Sequence, residues 1–129
     1  MEFKKTQTIY LQIAEMICEH ILTEDWKPDT KVPSVREFAA TLQVNPNTIM
    51  RTYTHLQDRD IIYNKRGIGF FVEANAKTVI KNLQKTQFIK EELPAIFKKM
   101  VLLDIDLSQV ESIYIDAKAQ ISNPKSQDK

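Results

Sequence analysis

The side chains best suited to chemistry in this sequence lie on the outer face of one short predicted helix. Asn45 can accept a hydrogen bond from the first free backbone N–H groups of that helix, and Pro46 suits its first position. Inward-facing residues then recur at i, i+3, i+4 and i+7: Ile49, Thr52, Tyr53 and Leu56. The opposite face carries Asn47, Met50, Arg51 and Thr54. Because amides, hydroxyls and guanidinium groups pair with base edges and phosphates, this face predicts contact with DNA.

A second short helix is predicted just upstream, over residues 34–42. Ser34 and Glu37 have the spacing of a capping box, in which each side chain accepts a hydrogen bond from the other residue's backbone N–H. Gln43-Val44 supplies the turn into the polar helix, which we expect to span residues 46–59. Two helices joined by so tight a turn predict a helix-turn-helix.

A β-hairpin is predicted after these helices. Residues 61–63 and 70–72 are rich in β-branched and aromatic side chains, and residues 64–69 between them form the tip. The tip holds two cations and both glycines of the protein: Lys65, Arg66, Gly67 and Gly69. Glycine is needed where a loop turns sharply or brings its backbone close to another surface. Helix, turn, capped helix and hairpin together give the outline of a winged helix-turn-helix.

Length and composition fit a small soluble protein. The 129 residues suffice for one domain, or one small domain with an appendage, and 43% are hydrophobic. No apolar run approaches the roughly 18–20 residues of a membrane span, and no signal peptide is apparent. Cys18, the one cysteine, lies in the apolar stripe of a first helix predicted over residues 8–23, and we interpret it as a buried small hydrophobic residue. One cysteine excludes an internal disulfide, and the chain is predicted to be cytoplasmic, without cofactor or metal.

The charge of the protein is unevenly distributed. The formal net charge is only +1, but residues 27–66 carry seven basic and four acidic side chains, which gives +3. Residues 1–26 carry two basic and five acidic side chains, which gives −3. Positive charge is therefore concentrated where the motif lies, as a DNA-binding surface requires.

The sequence changes character from residue 76 onward. Apolar residues recur at helical spacing from Val79 to Val101, and Pro94 must kink this helix or start a second one. Asp106 is predicted to cap a last helix. These helices have a wide apolar face and no core of their own, so we expect the same segment of a second subunit to cover them in a two-fold homodimer. The residues expected at that interface are Val79, Leu83, Phe88, Leu93, Ile96, Phe97 and Met100.

Three motifs in this order resemble the GntR family of bacterial transcription regulators. They are residues 32–39 (VPSVREFA), 44–49 (VNPNTI) and 67–72 (GIGFFV), and residues 9–14 fit that family's first helix. The short helical tail, in place of a large effector domain, resembles the YtrA-type branch. The resemblance covers residues 8–72 and, more loosely, the helical tail. The expected fold is mainly α with a small β-hairpin: residues 1–75 form a winged helix-turn-helix domain, 76–121 a helical dimerisation segment and 122–129 a flexible tail.

The resemblance also implies which residues meet DNA. The arginine of the family's Pro-Ser-x-Arg motif falls on Arg36, recognition-helix contacts fall on Asn45, Asn47 and Thr48, and the wing contact falls on Arg66-Gly67. With the exposed residues around them, the expected DNA-binding set is Ser34, Arg36, Asn45, Asn47, Thr48, Met50, Arg51, Lys65, Arg66 and Gly67.

This chain departs from the family pattern at four positions. Pro46 and Met50 stand where many relatives have arginine, so two base-reading side chains are absent, and Arg51 is expected to replace part of their work as a phosphate contact. Gln43 and Asp60 stand where the family usually has glycine. Each of these two residues is therefore expected to adopt a left-handed or strained backbone conformation.

The functional prediction is a transcription regulator, a repressor, that binds a palindromic operator on double-stranded DNA as a homodimer. The alternative is a winged-helix protein-interaction module that never touches DNA, which would predict an exposed apolar recognition face. For the polar face itself, the other interpretation is an ordinary solvated helix surface. An enzyme is rejected because the chain lacks a cluster of residues at catalytic spacing. The operator, the regulated genes and any small-molecule effector are not specified by the sequence.

Overall fold

Helices account for most of the chain. The structure is a computed structural model and describes residues 7–122. Its α-helices over that range are α1 Ile9–Leu22, α2 Val35–Leu42, α3 Pro46–Asp58, α4 Ala76–Gln87, α5 Leu93–Leu102 and α6 Leu107–Ser122. Strands β1 Ile62–Lys65 and β2 Gly69–Val72 form an antiparallel hairpin between α3 and α4. The predicted fold class, mainly α with a small β-hairpin, is confirmed.

The chain divides into two compact units, with the boundary between Lys85 and Thr86 near the end of α4. The first unit has a continuous hydrophobic core made by α1, α2, α3, the hairpin and the start of α4. Its largest fully buried side chains include Ile13, Ile17, Tyr53 and Leu56. Removing one such side chain from water stabilises the fold by about 1.5–3 kcal/mol. The α1–α3 packing is thus fixed by the apolar stripes that the sequence displays.

Cys18 is only half-buried, yet it packs against this core. Burial, and secondarily the nearby Glu15 carboxylate, raise the pKa of its thiol to about 11. The thiol is therefore protonated at neutral pH and behaves as the small hydrophobic residue that the sequence predicts.

Strand β2 is hydrogen-bonded on both sides. On one side it pairs with β1 in a register that sets Ile62 opposite Val72. On the other side the Val32 N–H donates to the Phe70 carbonyl at 2.9 Å, and the Val72 N–H donates to the Thr30 carbonyl at 3.0 Å. The base of the hairpin is therefore joined to the segment that immediately precedes α2.

The two glycines serve different purposes in the hairpin. Gly67 lies in the turn with φ of +80° and open space around it, so it is there for its backbone conformation. Gly69 has φ of +138°, and a Cβ built on it would lie 3.1 Å from the Lys31 Cε. Gly69 thus combines an unusual conformation with a close approach to the strand-like segment beside it.

A π-helical turn, Phe88–Glu92, follows α4 and leads into α5. Pro94 lies in the first turn of α5. Since proline has no N–H and its ring collides with the carbonyl four residues earlier, the wider turn before it accommodates the break. A kink or a second helix was foreseen at Pro94. Gln87, Glu92 and Leu93 all keep right-handed helical backbone angles, so the π-helical turn takes up the proline without a separate, capped helix start.

α6 begins after a cap at Asp106, whose backbone N–H donates to the Gln109 Oε1 at 2.8 Å. Asp106 therefore stands at the predicted cap position, and the capping hydrogen bond is made by the Gln109 side chain. α6 ends at Ser122, and residues 123–129 of the predicted tail lie outside the described residues. None of the helices within residues 7–122 has the length and low charge needed to cross a membrane.

Candidate nucleic-acid interface

The polar face predicted on α3 is exposed as expected. The Asn45 Oδ1 accepts a hydrogen bond from the Asn47 N–H at 2.8 Å, and Pro46 follows in the first turn of the helix. The four inward-facing residues of α3 are all buried, which fixes the rotation of the helix about its axis. Asn47, Met50 and Arg51 consequently point to solvent, and Thr48 is half-exposed beside them.

Two buried hydroxyls hold α3 against its neighbours. The Thr52 hydroxyl lies 3.0 Å from the Tyr10 carbonyl of α1 and 2.9 Å from the Thr48 carbonyl of its own helix. The Tyr53 hydroxyl donates to the Pro33 carbonyl at 2.7 Å, just before α2. Burial raises the pKa of Tyr53 well above its usual range, so this hydroxyl stays a donor. The helix that carries the polar face is therefore held by buried hydroxyls that both have hydrogen-bond partners.

The cap of α2 positions Arg36. The Ser34 Oγ accepts from the Glu37 N–H at 3.1 Å, and the Glu37 Oε1 accepts from the Ser34 N–H at 3.2 Å, so the predicted capping box is confirmed. These hydrogen bonds to Ser34 lower the pKa of Glu37. Arg36 follows Ser34 by two residues and is exposed. It makes no hydrogen bond or ion pair within residues 7–122, so its guanidinium is available to a phosphate.

The turn between α2 and α3 has the predicted left-handed residue. Gln43 has φ of 57° and ψ of 47°, and its N–H reaches the Ala39 and Ala40 carbonyls. Asp60, after α3, has φ of 61°. Both positions that the family usually fills with glycine are left-handed here, as expected, although each carries a side chain.

The wing carries its cations at the tip of the hairpin. Lys65 is exposed, and its Nζ lies 4.8 Å from the centre of the Phe71 ring. Arg66 and Gly67 follow in the turn and are exposed. Arg66 also lacks a hydrogen-bond or ion-pair partner within the described part of the chain. A cationic tip on a short rigid hairpin suits contact with a phosphate backbone.

Arg51 makes a contact that the sequence does not predict. Its guanidinium lies 4.0 Å from the centre of the Tyr10 ring, and the same ring meets the His55 ring edge-on with centres 5.8 Å apart. These three residues border a shallow, open depression of about 390 Å³ that is also lined by Asn47, Met50, Thr54, Asp58 and Arg59. Burial, followed by the Arg59 charge, lowers the pKa of His55. The spacing of apolar residues places Tyr10 in the apolar stripe of α1. It does not predict the contact with Arg51, because that contact depends on how α1 crosses α3.

The residues predicted at a dimer interface occupy different environments. Val79 packs against the core of the first unit, while Leu83, on the same helix, is 44% exposed. In the second unit, Phe88, Ile96 and Phe97 are each more than 40% exposed, and Leu93 and Met100 are half-buried.

An apolar groove runs between α5 and α6. Its volume is about 500 Å³, and its lining includes Leu93, Ile96, Phe97, Met100, Leu107, Val110 and Tyr114. No residue of α5 or α6 up to Ser122 is buried. The apolar side chains of these two helices thus remain largely uncovered.

The fold and the interface define a winged helix-turn-helix protein of the DNA-binding class. The model of the gntR family of bacterial regulatory proteins matches residues 9–72. The chain is 36% identical over 108 residues to the HTH-type transcriptional repressor YtrA of Bacillus subtilis, covering 84% of this chain and 78% of that protein. The chain therefore belongs to the GntR family of bacterial transcription regulators, in its YtrA-type branch, and the predicted resemblance is confirmed.

Solved structures agree with this assignment. A GntR-family transcriptional regulator from Bacteroides thetaiotaomicron is 44% identical, with a TM-score of 0.78, and the match covers 88% of this chain and 98% of that one. The DNA-binding domain of AraR in complex with operator ORR3 is 29% identical, with a TM-score of 0.50 over 56% of this chain and 84% of that one. The shared fold thus extends through most of the chain, and its first part is similar to a domain whose operator complex is known.

Proposed function

We propose that this regulator binds a palindromic operator as a homodimer and represses transcription. The observation that carries this proposal is the exposed polar face of α3, which begins at a side-chain cap. Arg36 and Arg66 beside it make no hydrogen bond or ion pair within residues 7–122. Family membership and the AraR–operator complex support DNA over a protein partner. The name of the YtrA relative supports repression.

In this proposal, α3 enters the major groove. Asn47 and Thr48, near the N-terminal end of α3, meet base edges there, since amides bind adenine through two hydrogen bonds and hydroxyls bind several bases. Asn45 and Ser34 place backbone N–H groups of two helix starts toward phosphates. Met50 offers an apolar contact of the kind that a thymine methyl accepts.

The cationic side chains are proposed to position the protein on the DNA. Arg36, Arg51, Lys65 and Arg66 contact phosphates or the minor groove, and Gly67 lets the backbone of the wing approach closely. Such contacts fix the register of the protein on the duplex and supply affinity that depends strongly on salt.

The homodimer is proposed to form through the second unit. The α5–α6 groove and the exposed Phe88, Ile96 and Phe97 form an apolar surface, and such surfaces often mark interaction sites. A second copy of the same unit would cover it in a two-fold arrangement. Two recognition helices would then read two half-sites about one helical turn, ~34 Å, or a multiple apart.

The test is selection of bound sequences from random DNA, followed by titration of the selected duplex at several salt concentrations. We expect an imperfect palindrome and a steep loss of affinity with salt. A winged-helix module that binds only proteins would enrich no sequence and show no such salt dependence, and this outcome would refute the proposal.

A further inference from the structure

We propose that Tyr10 is a positioning residue that holds Arg51 ready for a phosphate of the operator. This inference rests on the proposed function, because it assigns to α1 a part in the same DNA interface. Tyr10 lies on α1, and none of the expected DNA-binding residues belongs to that helix.

The geometry of the contact favours preorganisation. The Arg51 guanidinium lies 4.0 Å from the centre of the Tyr10 ring and has no hydrogen bond or ion pair within residues 7–122. The five N–H donors of a guanidinium lie in its plane and point outward at its edge. An aromatic ring over one face therefore leaves the donors at that edge free for a phosphate oxygen.

The ring itself is held in place. Tyr10 is half-buried, its carbonyl lies 3.0 Å from the buried Thr52 hydroxyl of α3, and its ring packs edge-on against His55. Arg51 and His55 are four residues apart and so lie on the same face of α3, where the Tyr10 ring contacts both of them. Because an arginine with several free rotors loses entropy when it binds, a fixed support reduces that loss and increases affinity.

The position of Arg51 places it between α1 and the predicted base-reading residues. It follows Met50 directly and so lies about 100° further around the helix, on the side of α1. The depression beside it is lined by Asn47 and Met50 as well as Tyr10, so Arg51 borders the predicted base-reading residues. We therefore infer a phosphate at the edge of the major groove as the group that Arg51 binds.

The experiment is a double-mutant cycle on operator affinity, using the sequence selected above. Tyr10→Leu removes the ring, Tyr10→Phe keeps it as the matched control, and Arg51→Ala removes the guanidinium. We expect Tyr10→Leu to weaken binding by about two- to fivefold per recognition helix, the range of an exposed cation–π contact, and Tyr10→Phe to bind like the wild type. In the Arg51→Ala background, Tyr10→Leu should have no further effect on affinity.

A merely structural role gives a different pattern. If Tyr10 only packed α1 onto α3, Tyr10→Leu would weaken binding equally with and without Arg51, and the proposal would fail. It would also fail if Tyr10→Leu bound as the wild type does. Absence of any operator for the wild type would instead overturn the proposed function.

A second measurement needs no folded Tyr10→Leu variant. In NMR spectra of the wild type, the Arg51 δ-methylene protons should be shifted upfield by the ring current of Tyr10, both free and bound to operator. Loss of this shift on binding would mean that Arg51 leaves the ring to reach DNA, and it would overturn the proposal.

Discussion

At the scale of single residues, Asn47 and Arg66 are proposed to do different work on the same DNA. Asn47 is held at the exposed start of α3 by its backbone hydrogen bond to Asn45, whereas Arg66 projects from the tip of the wing. An amide at base edges discriminates sequence, and a guanidinium at phosphates adds affinity for any duplex. The two residues can therefore be separated by measuring preferred and unrelated DNA side by side.

We expect Asn47→Ala to cost about 1–3 kcal/mol on the preferred site and almost nothing on unrelated DNA. Arg66→Ala should weaken binding to both and reduce the salt slope by about one unit. Gln57→Ala, which removes an exposed amide from the same helix, and Lys77→Ala, which removes a cation paired with Glu24 at 3.2 Å, are the matched controls. Unchanged affinity of Asn47→Ala for the preferred site would show that Asn47 does not contact base edges.

Cys18 gives a test of burial in the first unit. With its pKa raised to about 11 by burial, the thiol is scarcely ionised at pH 8, where an ordinary thiol near 8.5 is partly thiolate. We expect modification by a disulfide reagent at pH 8 to be about 100-fold slower in the folded protein than in denaturant. The rate should rise with pH as the thiolate forms. Equal rates in the two states would contradict the packing of α1.

Sequence reasoning at this scale succeeded where a residue's role is local. The Ser34–Glu37 box, the Asn45 cap and the left-handed Gln43 follow from the residue types and their spacing, or from glycine positions in the family pattern. The Tyr10–Arg51 contact does not, because it joins residues 41 positions apart and depends on the crossing of two helices.

At the scale of elements, the turn between α2 and α3 is locally strained. Gln43 adopts a left-handed conformation that a residue with a Cβ disfavours by roughly 1–2 kcal/mol relative to the right-handed one. Its side chain is exposed, and its hydrogen bonds to the Ala39 and Ala40 carbonyls come from the backbone N–H, so glycine can keep them.

We expect Gln43→Gly to stabilise the first unit by about 0.5–1 kcal/mol, because glycine removes the strain but gains freedom in the unfolded chain. The measurement is thermal unfolding, in which a change of about 1 kcal/mol shifts Tm by about 4–8 °C in a domain of this size. Ala40→Gly, inside α2, is the control and should lose about 1 kcal/mol. A lower Tm for Gln43→Gly would mean that the glutamine side chain stabilises this turn.

Helix starts were predictable where a cap marks them, as for α2 and α3. The hairpin itself was predicted, but with strands at residues 61–63 and 70–72, whereas β1 spans Ile62–Lys65 and β2 spans Gly69–Val72, so pairing continues further toward the tip. The π-helical turn was not predictable. Pro94 requires a change in the helix before it, but the residue alone does not specify which change. Whether the chain kinks, restarts or widens depends on how the following helix packs, which the periodicity of apolar residues does not encode.

At the scale of the whole molecule, the second unit is the proposed source of dimerisation. We expect Leu93→Asp with Phe97→Asp to give a monomer, because it would place unpaired carboxylates in an apolar contact at a cost of several kcal/mol. The first unit should stay folded, with weak affinity for operator, since the two half-sites would no longer be read together.

Light scattering and operator titration decide this prediction. Lys98→Gln with Lys99→Gln makes the same change in net charge at exposed positions of α5 outside the groove, and it should remain dimeric. A wild type that is monomeric at micromolar concentration, or a double aspartate variant that binds operator normally, would refute the dimer.

The organisation of the first unit was predicted because cap, turn, helix and wing each leave a signal in sequence. The separate roles of Val79 and Leu83 were not predicted. Both belong to one apolar stripe in the sequence, yet Val79 packs on the core of the first unit while Leu83 is 44% exposed. Periodicity identifies a buried face without stating what buries it.

The double pairing of β2 has a consequence for how such regulators diversify. Since β2 is joined to the segment around Thr30 and Val32, and α2 with its arginine follows directly, the hairpin base and the helix-turn-helix share one hydrogen-bonded frame. Residues at the tip of the wing can then be exchanged without shifting that frame. In the proposed complex, substitutions at the tip would change which groups touch the phosphate backbone, while the spacing between the wing and the start of α2 would stay the same.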